Sequence, residues 1–433
     1  MEKKHYAQLD ETLYTETLDN GLKVTLLPKN DFHKTYSLFT TNYGSIDNSF
    51  IPLGKSEKVT VPDGIAHFLE HKMFEKEEGD IFHVFGKYGA SANAFTSFTR
   101  TSYLFSSTNY VLENVATLLD FVQEPYFTKE TVDKEKGIIA QEIQMYDDEP
   151  DWRLFFGIVG NMYPHHPIHI DIAGTVESIM EITAEDLYES YHTFYHPSNM
   201  NLLVVGKMDP AEMMDWIRQN QAKKEFAPKQ EIQRFFPTEK VSDIKAFDSI
   251  EMPVNRAKSI VGVKGIEPAP TGREALVLKT TMNLLLTLLF GPTSTNYLQL
   301  YDEGIVDDSF SYEFNLDRTF HFVDIGGDAK DPSALSDAVK KILETAPHSP
   351  ELTAENLTMI KKRMVGKSLQ SLNSIEYIAN QYSQESYGDA SLFDLVPVIE
   401  SITLSQVKEL ATQFMVPERM SVFHILPKEA KES

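Results

Sequence analysis

The sequence predicts an α+β protein made of two related halves, in which many of the strands are antiparallel. Three observations favour this class. Strand-like and helix-like segments alternate along the chain, one helix–proline–strand pattern occurs twice, and 433 residues exceed the length of an ordinary single domain. We therefore expect two domains of about 200 residues each, within the usual size range.

The N-terminal half contains the clearest strand and helix patterns. Short runs rich in β-branched and aromatic residues predict strands at 21–28, 35–45, 101–109 and 199–208. Apolar residues at helical spacing predict helices at 111–122 and 128–146. The pair Asn20-Gly21 is a turn signal before the first of these strands.

A stretch at 223–240 interrupts this alternation with two prolines and charges of both signs. Such a composition is typical of a linker. The prediction is an N-terminal half at 1–222, a linker at 223–240 and a C-terminal half at 241–433.

The repeat lies on the two sides of this linker. Thr183 precedes Pro197 by fourteen residues, Thr403 precedes Pro417 by the same interval, and a methionine follows each proline three residues later. A weaker echo relates the segments 128–136 and 353–361. Matching helix starts, prolines and strands predict that the halves share one fold.

Composition excludes several classes of function. The formal net charge of −24 argues against nucleic-acid binding, which requires a basic surface. This charge would suit a cavity for basic peptides, but an acidic surface that maintains solubility is the simpler explanation. The absence of cysteine removes disulfides, thiolate zinc sites and cysteine nucleophiles.

Membrane and export signals are weak. The first 21 residues contain no apolar core of the signal-peptide kind, and the longest apolar run, 282–291, is too short to span a bilayer. We expect a soluble cytoplasmic protein of bacterial type, without a membrane span.

The motif HFLEH at 67–71 is the strongest chemical signal. Asp63 is positioned to cap a helix on which His67 and His71 lie four residues apart, with Glu70 beside them. Histidines at this spacing can bind one metal ion from adjacent helical turns, and H-x-x-E-H is a zinc-protease pattern. The alternative is two surface histidines on an amphipathic helix.

A third metal ligand can come from the predicted helix at 128–146. Glu135 and Glu142 are seven residues apart, so both lie on one face of that helix. One can ligate the metal while the other supports the site. Taken alone, each glutamate is better explained as part of a solvated acidic face.

The combination of HFLEH with E-x6-E some seventy residues later resembles the inverzincin family of pitrilysin, insulysin and the mitochondrial processing peptidase, M16 metallopeptidases. The resemblance covers nearly the whole chain and matches the family's small processing-protease subunits. It implies that His67, His71 and Glu142 are the zinc ligands, that Glu70 is the general base, and that Glu135 is a supporting acid. The His71–Glu142 interval is a few residues shorter than usual, which we assign to a trimmed loop.

The resemblance also extends to a strand at 89–103. Asn93, Ala94 and Phe95 match an N-A-[FY]-T edge strand whose backbone pairs with the substrate peptide in this family. The family fold implies two halves of mostly antiparallel sheet flanked by helices, facing each other across a cavity. Only the first half carries the metal motif.

The implied activity is that of a zinc metalloendopeptidase with one Zn²⁺ per chain, acting on extended or unfolded peptides. Zinc lowers the pKa of a bound water to roughly 7, and Glu70 accepts the water's proton. Recognition through an edge strand reads the substrate backbone, so sequence preference should be loose.

One departure from the family concerns the second half. Relatives that act alone carry an Arg and a Tyr there that hold the substrate and the oxyanion, whereas this chain has Tyr301 and Asp307 at the corresponding places. We expect a second subunit of the same fold to supply the pair, making this chain the catalytic subunit of a heterodimer, with a homodimer as the other possibility. The alternative function is a catalytically silent structural subunit; a non-proteolytic metal-binding module would not need Glu135 or the edge strand.

Other histidines have simpler explanations. His165, His166 and His169 lie in a proline-flanked loop and are interpreted as structural. His192 and His196 share helical spacing without an acidic partner, so we expect packing and capping roles for them.

Overall fold

The computed structural model describes residues 1–384 and 390–428, which form two compact units. Unit 1 comprises Met1–Gln144, Ile170–Phe236 and Ser371–Gln384. Unit 2 comprises Met145–His169 and Pro237–Gln370, together with the described residues from 390 onward. Each unit thus includes one segment from the other predicted half, so the compact units do not follow a single cut at 223–240.

The elements up to residue 222 are as follows. The strands are β1 Glu2–Tyr6, β2 Glu11–Thr17, β3 Lys23–Pro28, β4 Thr35–Thr41, β5 Ser49–Phe50, β6 Val59–Thr60, β7 Glu75–Lys76, β8 Gly79–Asp80, β9 Ser91–Thr96, β10 Thr101–Ser107 and β11 Met200–Gly206. The helices are α1 Ile65–Met73, α2 Phe82–Lys87, α3 Val111–Gln123, α4 Lys129–Asp147, α5 Pro150–Met162, α6 Val176–Glu181, α7 Ala184–Phe194 and α8 Pro210–Gln221.

The elements after residue 240 continue the same numbering. The strands are β12 Phe247–Met252, β13 Ala257–Lys264, β14 Ser311–Asp317, β15 Phe320–Ala329 and β16 Met420–Pro427. The helices are α9 Gly272–Phe290, α10 Thr295–Asp302, α11 Pro332–Glu344, α12 Ala354–Ser371, α13 Ile375–Gln384, α14 Leu395–Ser401 and α15 Leu404–Phe414.

The main sheet of unit 1, within the described residues, has seven strands in the order β1-β2-β3-β11-β4-β10-β9. Only β3 and β11 pair in parallel; every other neighbouring pair is antiparallel. Alternate residues of the central strands, such as Val24, Phe39 and Val204, enter a core that also takes the apolar faces of α1, α3 and α7. The strand β9 lies at one edge of this sheet.

The main sheet of unit 2 has five strands in the part of the chain that the structure describes, in the order β12-β16-β13-β15-β14. Its one parallel pair is β12 with β16, and the rest are antiparallel. This order repeats the five strands β3-β11-β4-β10-β9 of unit 1, including the position of the parallel pair. The α+β class and the shared fold of the two halves are therefore confirmed.

The repeated helix starts have the same local chemistry in both units. Thr183 and Thr403 each accept a hydrogen bond from the backbone N–H three residues later, and the side chain at that position bonds back to the threonine N–H. The helices that follow, α7 and α15, have eleven residues each. Each is succeeded by a short 3-10 turn that starts at the repeated proline and leads into the strand that pairs in parallel.

The predicted linker is irregular, but part of it is attached to unit 1. Ile51 N–H donates to Gln233 O, Phe235 N–H donates to Ser49 O, and Phe50 and Arg234 form a β-bridge. The guanidinium of Arg234 also pairs with the buried carboxylate of Asp47 at 3.0 Å. These contacts fix residues 233–235 against the strand β5.

The segment that unit 2 receives from the first half consists mainly of α5. This helix packs on β13 and β16. Gly157 lies so close to the ring of Phe423 that an added Cβ would meet a ring carbon at 2.3 Å. Likewise, α13 packs on β4 and β11 of unit 1, where the hydroxyls of Thr40 and Ser383 are 3.0 Å apart.

Two local predictions were wrong. The cap position of α1 is Gly64, because Asp63 makes no capping bond and instead accepts from Asn48 Nδ2 at 3.0 Å. The segment 89–103 is not one strand but contains β9, a turn and the start of β10, which pair as an antiparallel hairpin.

Within residues 1–384 and 390–428, no individual helix combines the length and the apolar character needed to cross a membrane. The bent pair α9 and α10, with 44° between its helices, meets that length and composition test only when both helices are counted together.

Candidate metal centre

The helix α1 is held in place at its first residue and along its apolar face. Gly64 adopts a left-handed conformation with φ of 86°, and an added Cβ would meet Ala173 O at 2.2 Å. Only glycine fits both conditions. Phe68 and Leu69 are fully buried in the core of unit 1, which leaves the face carrying the two histidines of the motif partly accessible.

The structure brings His67, His71 and Glu142 together. His67 Nε2 lies 3.7 Å from one carboxylate oxygen of Glu142, and His71 Nε2 lies 3.5 Å from the other. One potential ligand atom from each residue falls within 4.8 Å of the other two. Their spacing on α1 and α4 therefore gives two nitrogens and one oxygen that converge on a common point.

Glu135 lies two turns before Glu142 on α4 and contacts His71 at the ring nitrogen that faces away from Glu142. Its Oε1 is 3.1 Å from His71 Nδ1. A carboxylate at Nδ1 fixes the proton on that nitrogen. The other ring nitrogen, Nε2, is then unprotonated and can bind a metal ion. Glu135 therefore orients the imidazole of His71 toward Glu142.

The two histidines differ electrostatically, although they share one helix face. Burial, and then the neighbouring His71, lower the pKa of His67 to about 3, so this ring is neutral and able to ligate. Burial alone would also lower the pKa of His71, but the hydrogen bond to Glu135 and the charges of Glu70 and Glu142 raise it overall. Burial alone would raise the pKa of Glu135, but the hydrogen bond to His71 outweighs burial and lowers the pKa of that carboxyl overall.

Glu70 faces the same region from between the two histidines. Its carboxylate is buried, and Thr96 Oγ1 donates a hydrogen bond to Oε2 at 2.7 Å. Burial raises the pKa of Glu70, while the bond from Thr96 opposes this shift. A buried carboxylate whose pKa lies above its usual range holds a proton more readily, which suits a general base.

The donor set fits zinc. Two imidazole nitrogens and a carboxylate oxygen are a common ligand combination of catalytic zinc sites, which leave a fourth position open. Among the described residues this is the one group of three or more histidine and acidic side chains that meets the distance condition for a shared ion. The loop histidines do not: His166 Nδ1 accepts from Ile168 N–H, and His169 Nδ1 bonds His166 O.

The remaining histidines behave as the sequence indicates. His196 accepts from Ser198 N–H at the start of the 3-10 turn, and its Nε2 lies 2.8 Å from Ala227 O. His192 stacks on Tyr188. Neither approaches the metal-ligand group.

The residues expected to pair with substrate lie on the edge strand β9. Ala94 N–H donates to the side-chain oxygen of Asn93 at 2.9 Å. Three residues later, Ser97 N–H donates to Arg100 O across the hairpin. Because successive amides of an antiparallel strand point to opposite sides, Ala94 N–H points to the free edge of the sheet.

The region of the second half that departs from the family pattern contains a local ion pair. Asp307 Oδ2 accepts from Arg256 Nη1 at 2.6 Å, and Tyr301 is 47% exposed near the end of α10. The ring centroid of Tyr301 is 5.9 Å from that of Tyr297. Asp307 is thus an acceptor for a local arginine.

Two residues near the metal centre were missed by the sequence analysis. Thr96 bonds the carboxylate of Glu70, and the fully buried Lys72 lies 4.0 Å from Glu135 Oε2. The available signals were weak: Thr96 ends the N-A-F-T pattern, and Lys72 is a charged residue at an otherwise apolar position directly after HFLEH.

Two family models and a bacterial relative match this chain. Residues 50–176 match a family model described as insulinase, peptidase family M16, and residues 181–364 match one described as the peptidase M16 inactive domain. The protein YmfH of Bacillus subtilis strain 168, named an uncharacterized zinc protease, is 52% identical over 423 residues and is covered to 98%, as is this chain.

Solved structures share the fold. A crystal structure described as that of an M16-like peptidase from Alicyclobacillus acidocaldarius has a TM-score of 0.93 at 39% identity, covering 97% of this chain and 99% of that one. A protease from Helicobacter pylori has a TM-score of 0.82 at 18% identity, covering 96% and 99%, which bears on the fold alone. The chain therefore belongs to peptidase family M16, the metallopeptidases of the pitrilysin type.

Proposed function

We propose that this chain is a zinc-dependent endopeptidase with one Zn²⁺ held by His67, His71 and Glu142. The observation that carries the proposal is the convergence of three ligand atoms within 4.8 Å of one another, next to the buried carboxylate of Glu70. The name of the Bacillus subtilis relative, a zinc protease, supports the identity of the metal.

The residues of the chain have separate tasks in this reaction. When bound, zinc supplies Lewis acidity toward the scissile carbonyl and the attacking water. Glu70 accepts a proton from the water and returns it to the leaving amine, and Thr96 holds the carboxylate in the orientation that this transfer needs. Glu135 keeps the ring of His71 aligned.

The substrates in this proposal are extended or unfolded peptides. The free edge of β9, where Ala94 N–H points away from β10 between Asn93 and Phe95, offers backbone groups to which a peptide can add as one more strand. Main-chain pairing of this kind selects for extended conformation more than for sequence. The net charge of −24 suits basic peptides but does not by itself define a specificity.

A partner subunit completes the proposal. The places where family members that act alone carry an Arg and a Tyr hold Tyr301 and Asp307, and Asp307 is occupied by an ion pair with Arg256. A second chain of the same fold, or a second copy of this chain, would supply the missing pair in a dimeric peptide-processing enzyme. We place this enzyme in the bacterial cytoplasm.

The alternative is a catalytically silent structural subunit. Its support is that residues 181–364 match a model described as an inactive domain. Against it stand three potential ligand atoms that lie within 4.8 Å of one another. In the same unit, Glu135 bonds to His71 and the carboxylate of Glu70 is held by Thr96. A silent chain would have no need to retain all five.

The test is hydrolysis of a basic, unstructured quenched-fluorescent peptide, with zinc quantified in the same samples. The zinc-loaded chain, supplied with its partner, is expected to cleave the peptide, and Glu70→Gln is expected to reduce the rate by at least about 100-fold, the usual scale of general-base catalysis, while retaining zinc. Glu130→Gln, an exposed substitution on α4, is the matched control and should behave as wild type. Absence of zinc from the wild-type chain would favour the structural-subunit alternative.

A further inference from the structure

Lys72 is the most completely buried cation near the metal centre. Its side chain has no exposed surface, although it directly follows His71 in sequence. Lysine is almost never fully buried unless paired, because removing an ammonium group from water costs several kcal/mol. A lysine at this position must therefore have acidic partners, and the identity of those partners indicates its role.

The ammonium group of Lys72 has two acidic neighbours. Glu75, one turn later, pairs with it directly and is 36% exposed. Glu135 Oε2 lies 4.0 Å from Lys72 Nζ, while Oε1 of the same carboxylate meets His71 Nδ1 at 3.1 Å. The carboxylate of Glu135 thus spans two positive or hydrogen-donating groups, one on each oxygen.

This arrangement restricts the carboxylate of Glu135 from both sides. With one oxygen drawn toward Lys72, rotation of the carboxylate away from His71 would separate a buried ion pair. The contact to Glu75 cannot have the same effect, because within the described residues no hydrogen bond or ion pair joins Glu75 to either histidine. Of the two acidic partners of Lys72 within the described residues, Glu135 is the one that contacts a histidine of the candidate centre.

We propose that Lys72 is a positioning residue of the metal centre, whose ammonium group holds the Glu135 carboxylate against His71 and so presents His71 Nε2 to the metal. The inference rests on the proposed function, since it assumes that the centre binds zinc. In this proposal Lys72 orients the carboxylate of Glu135, and Glu135 in turn orients the ring of His71.

Zinc affinity of the purified full-length chain, measured by competition with a chromophoric chelator, tests this role without relying on activity. Lys72→Met keeps the length of the side chain and removes its charge. Loss of outer partners of metal ligands costs about 10- to 100-fold in metal affinity, so we expect a weakening of about tenfold or more. When cobalt replaces zinc, the visible absorption spectrum of Lys72→Met should differ from that of the wild-type chain.

Lys76→Met is the matched control. Lys76 lies four residues after Lys72 and is partly buried, whereas Lys72 is fully buried. Its Nζ donates to the backbone oxygens of Phe121 and Glu124 at the end of α3, and not to a residue of the metal-ligand group. We expect Lys76→Met to lower thermal stability and to leave zinc affinity within about twofold, which is the expected scatter for independent sites. Lys72→Arg should recover part of the affinity that Lys72→Met loses.

A double-mutant cycle with Glu135→Gln separates positioning from general stabilisation. If Lys72 acts through Glu135, Lys72→Met should change zinc affinity about threefold or less in the Glu135→Gln background, because the two effects are coupled. Equal effects of Lys72→Met in both backgrounds, or an unchanged affinity in the single variant, would overturn the proposal. If Lys72→Met does not fold, the same cycle in the Glu75→Gln background removes a carboxylate that Lys72→Met would leave without its cationic partner.

The two proposals fail differently. A wild-type chain that binds no zinc contradicts the proposed function, and the Lys72 proposal with it. A wild-type chain that binds zinc with an affinity insensitive to Lys72→Met contradicts only the role of Lys72.

Discussion

At the scale of single residues, the site treats two histidines of one helix face differently. His71 has a carboxylate at each ring nitrogen, Glu135 at Nδ1 and Glu142 at Nε2, whereas the buried Nδ1 of His67 has no hydrogen-bond partner. Burial, and then the neighbouring His71, lower the pKa of His67 to about 3, whereas the hydrogen bond to Glu135 and the charges of Glu70 and Glu142 outweigh burial and raise the pKa of His71. One ligand is thus oriented by hydrogen bonding and the other by packing.

Glu70 is oriented by a single hydroxyl, which gives a prediction for Thr96→Val. The substitution keeps the shape of the side chain and removes the donor to Glu70 Oε2. A hydrogen bond to a charged group contributes about 1.5–3 kcal/mol, so kcat/KM should fall by about tenfold or more. The bond stabilises the ionised carboxylate and lowers its pKa, so its loss should raise the pKa of Glu70 and move the acid limb of the pH–rate profile to higher pH.

The appropriate control for Thr96→Val is Ser91→Ala on the same strand, because Ser91 is exposed and at the far end of β9. Zinc affinity should be unchanged in both variants, since Thr96 contacts the base and not a ligand. A Thr96→Val enzyme with wild-type kcat/KM and an unshifted acid limb would show that Glu70 does not depend on this hydroxyl.

At the scale of elements, the sequence predicted what depends on local spacing. The positions of α7 and β11 followed from Thr183 and Pro197, and those of α15 and β16 from the equivalent pair, because helix capping and proline act within a few residues. The exchange of α5 and α13 between the units left no such signal. A helix carries an apolar face whichever sheet it packs on, so its destination depends on contacts far away in sequence.

The candidate site divides in the same way. His67 and His71 could be paired from the sequence because four residues make one helical turn, and Glu135 and Glu142 because seven make two. Lys72 could not be assigned a role, because its partner Glu135 lies on another helix and the pairing exists only in the folded chain. The capping role expected of Asp63 failed for a related reason: the side chain of Asn48, which directly precedes β5, donates a hydrogen bond to its carboxylate instead.

The edge strand β9 gives a prediction at this scale for Ala94→Pro. Proline is tolerated in edge strands where the N–H faces outward. It removes the Ala94 N–H, which donates to Asn93 Oδ1 here and which an added peptide strand would take over. One hydrogen bond of this kind contributes about 0.5–1.5 kcal/mol, so kcat/KM for peptides should fall up to about tenfold, mainly through KM. Zinc content should not change, because all three ligands lie on helices.

Lys4→Pro serves as the comparison for Ala94→Pro. It introduces a proline into β1, at the opposite edge of the same sheet. If both substitutions reduced kcat/KM equally, the loss would reflect damage to the sheet. A loss confined to Ala94→Pro supports strand addition, and no loss in either variant would contradict it.

At the scale of the whole molecule, the chain repeats a five-strand scaffold but carries metal ligands on only one copy. The described residues of unit 2 reproduce the strand order of unit 1, yet the metal-ligand group lies entirely in unit 1. Tyr301 and Asp307 stand where we expect self-sufficient relatives to carry an Arg and a Tyr, so we propose that the oxyanion donors come from a partner subunit.

The last prediction concerns the Arg and Tyr that we expect a partner subunit to supply for the oxyanion. Removing one oxyanion donor typically costs about 100- to 1,000-fold in kcat, so the purified chain should bind one zinc and cleave peptides at about a hundredth, or less, of the rate reached with its partner subunit. The measurement is peptide hydrolysis by the chain alone over a range of concentrations, and then with co-purified chains of the same fold. A specific activity that rises with concentration of the chain alone would identify a second copy as the partner. Glu70→Gln in the assembled complex should abolish the gain, because this chain provides the metal centre. Full activity at concentrations where the chain is monomeric, with no increase on adding a partner, would mean that Arg256, Tyr301 or other residues of unit 2 replace the missing pair within one chain.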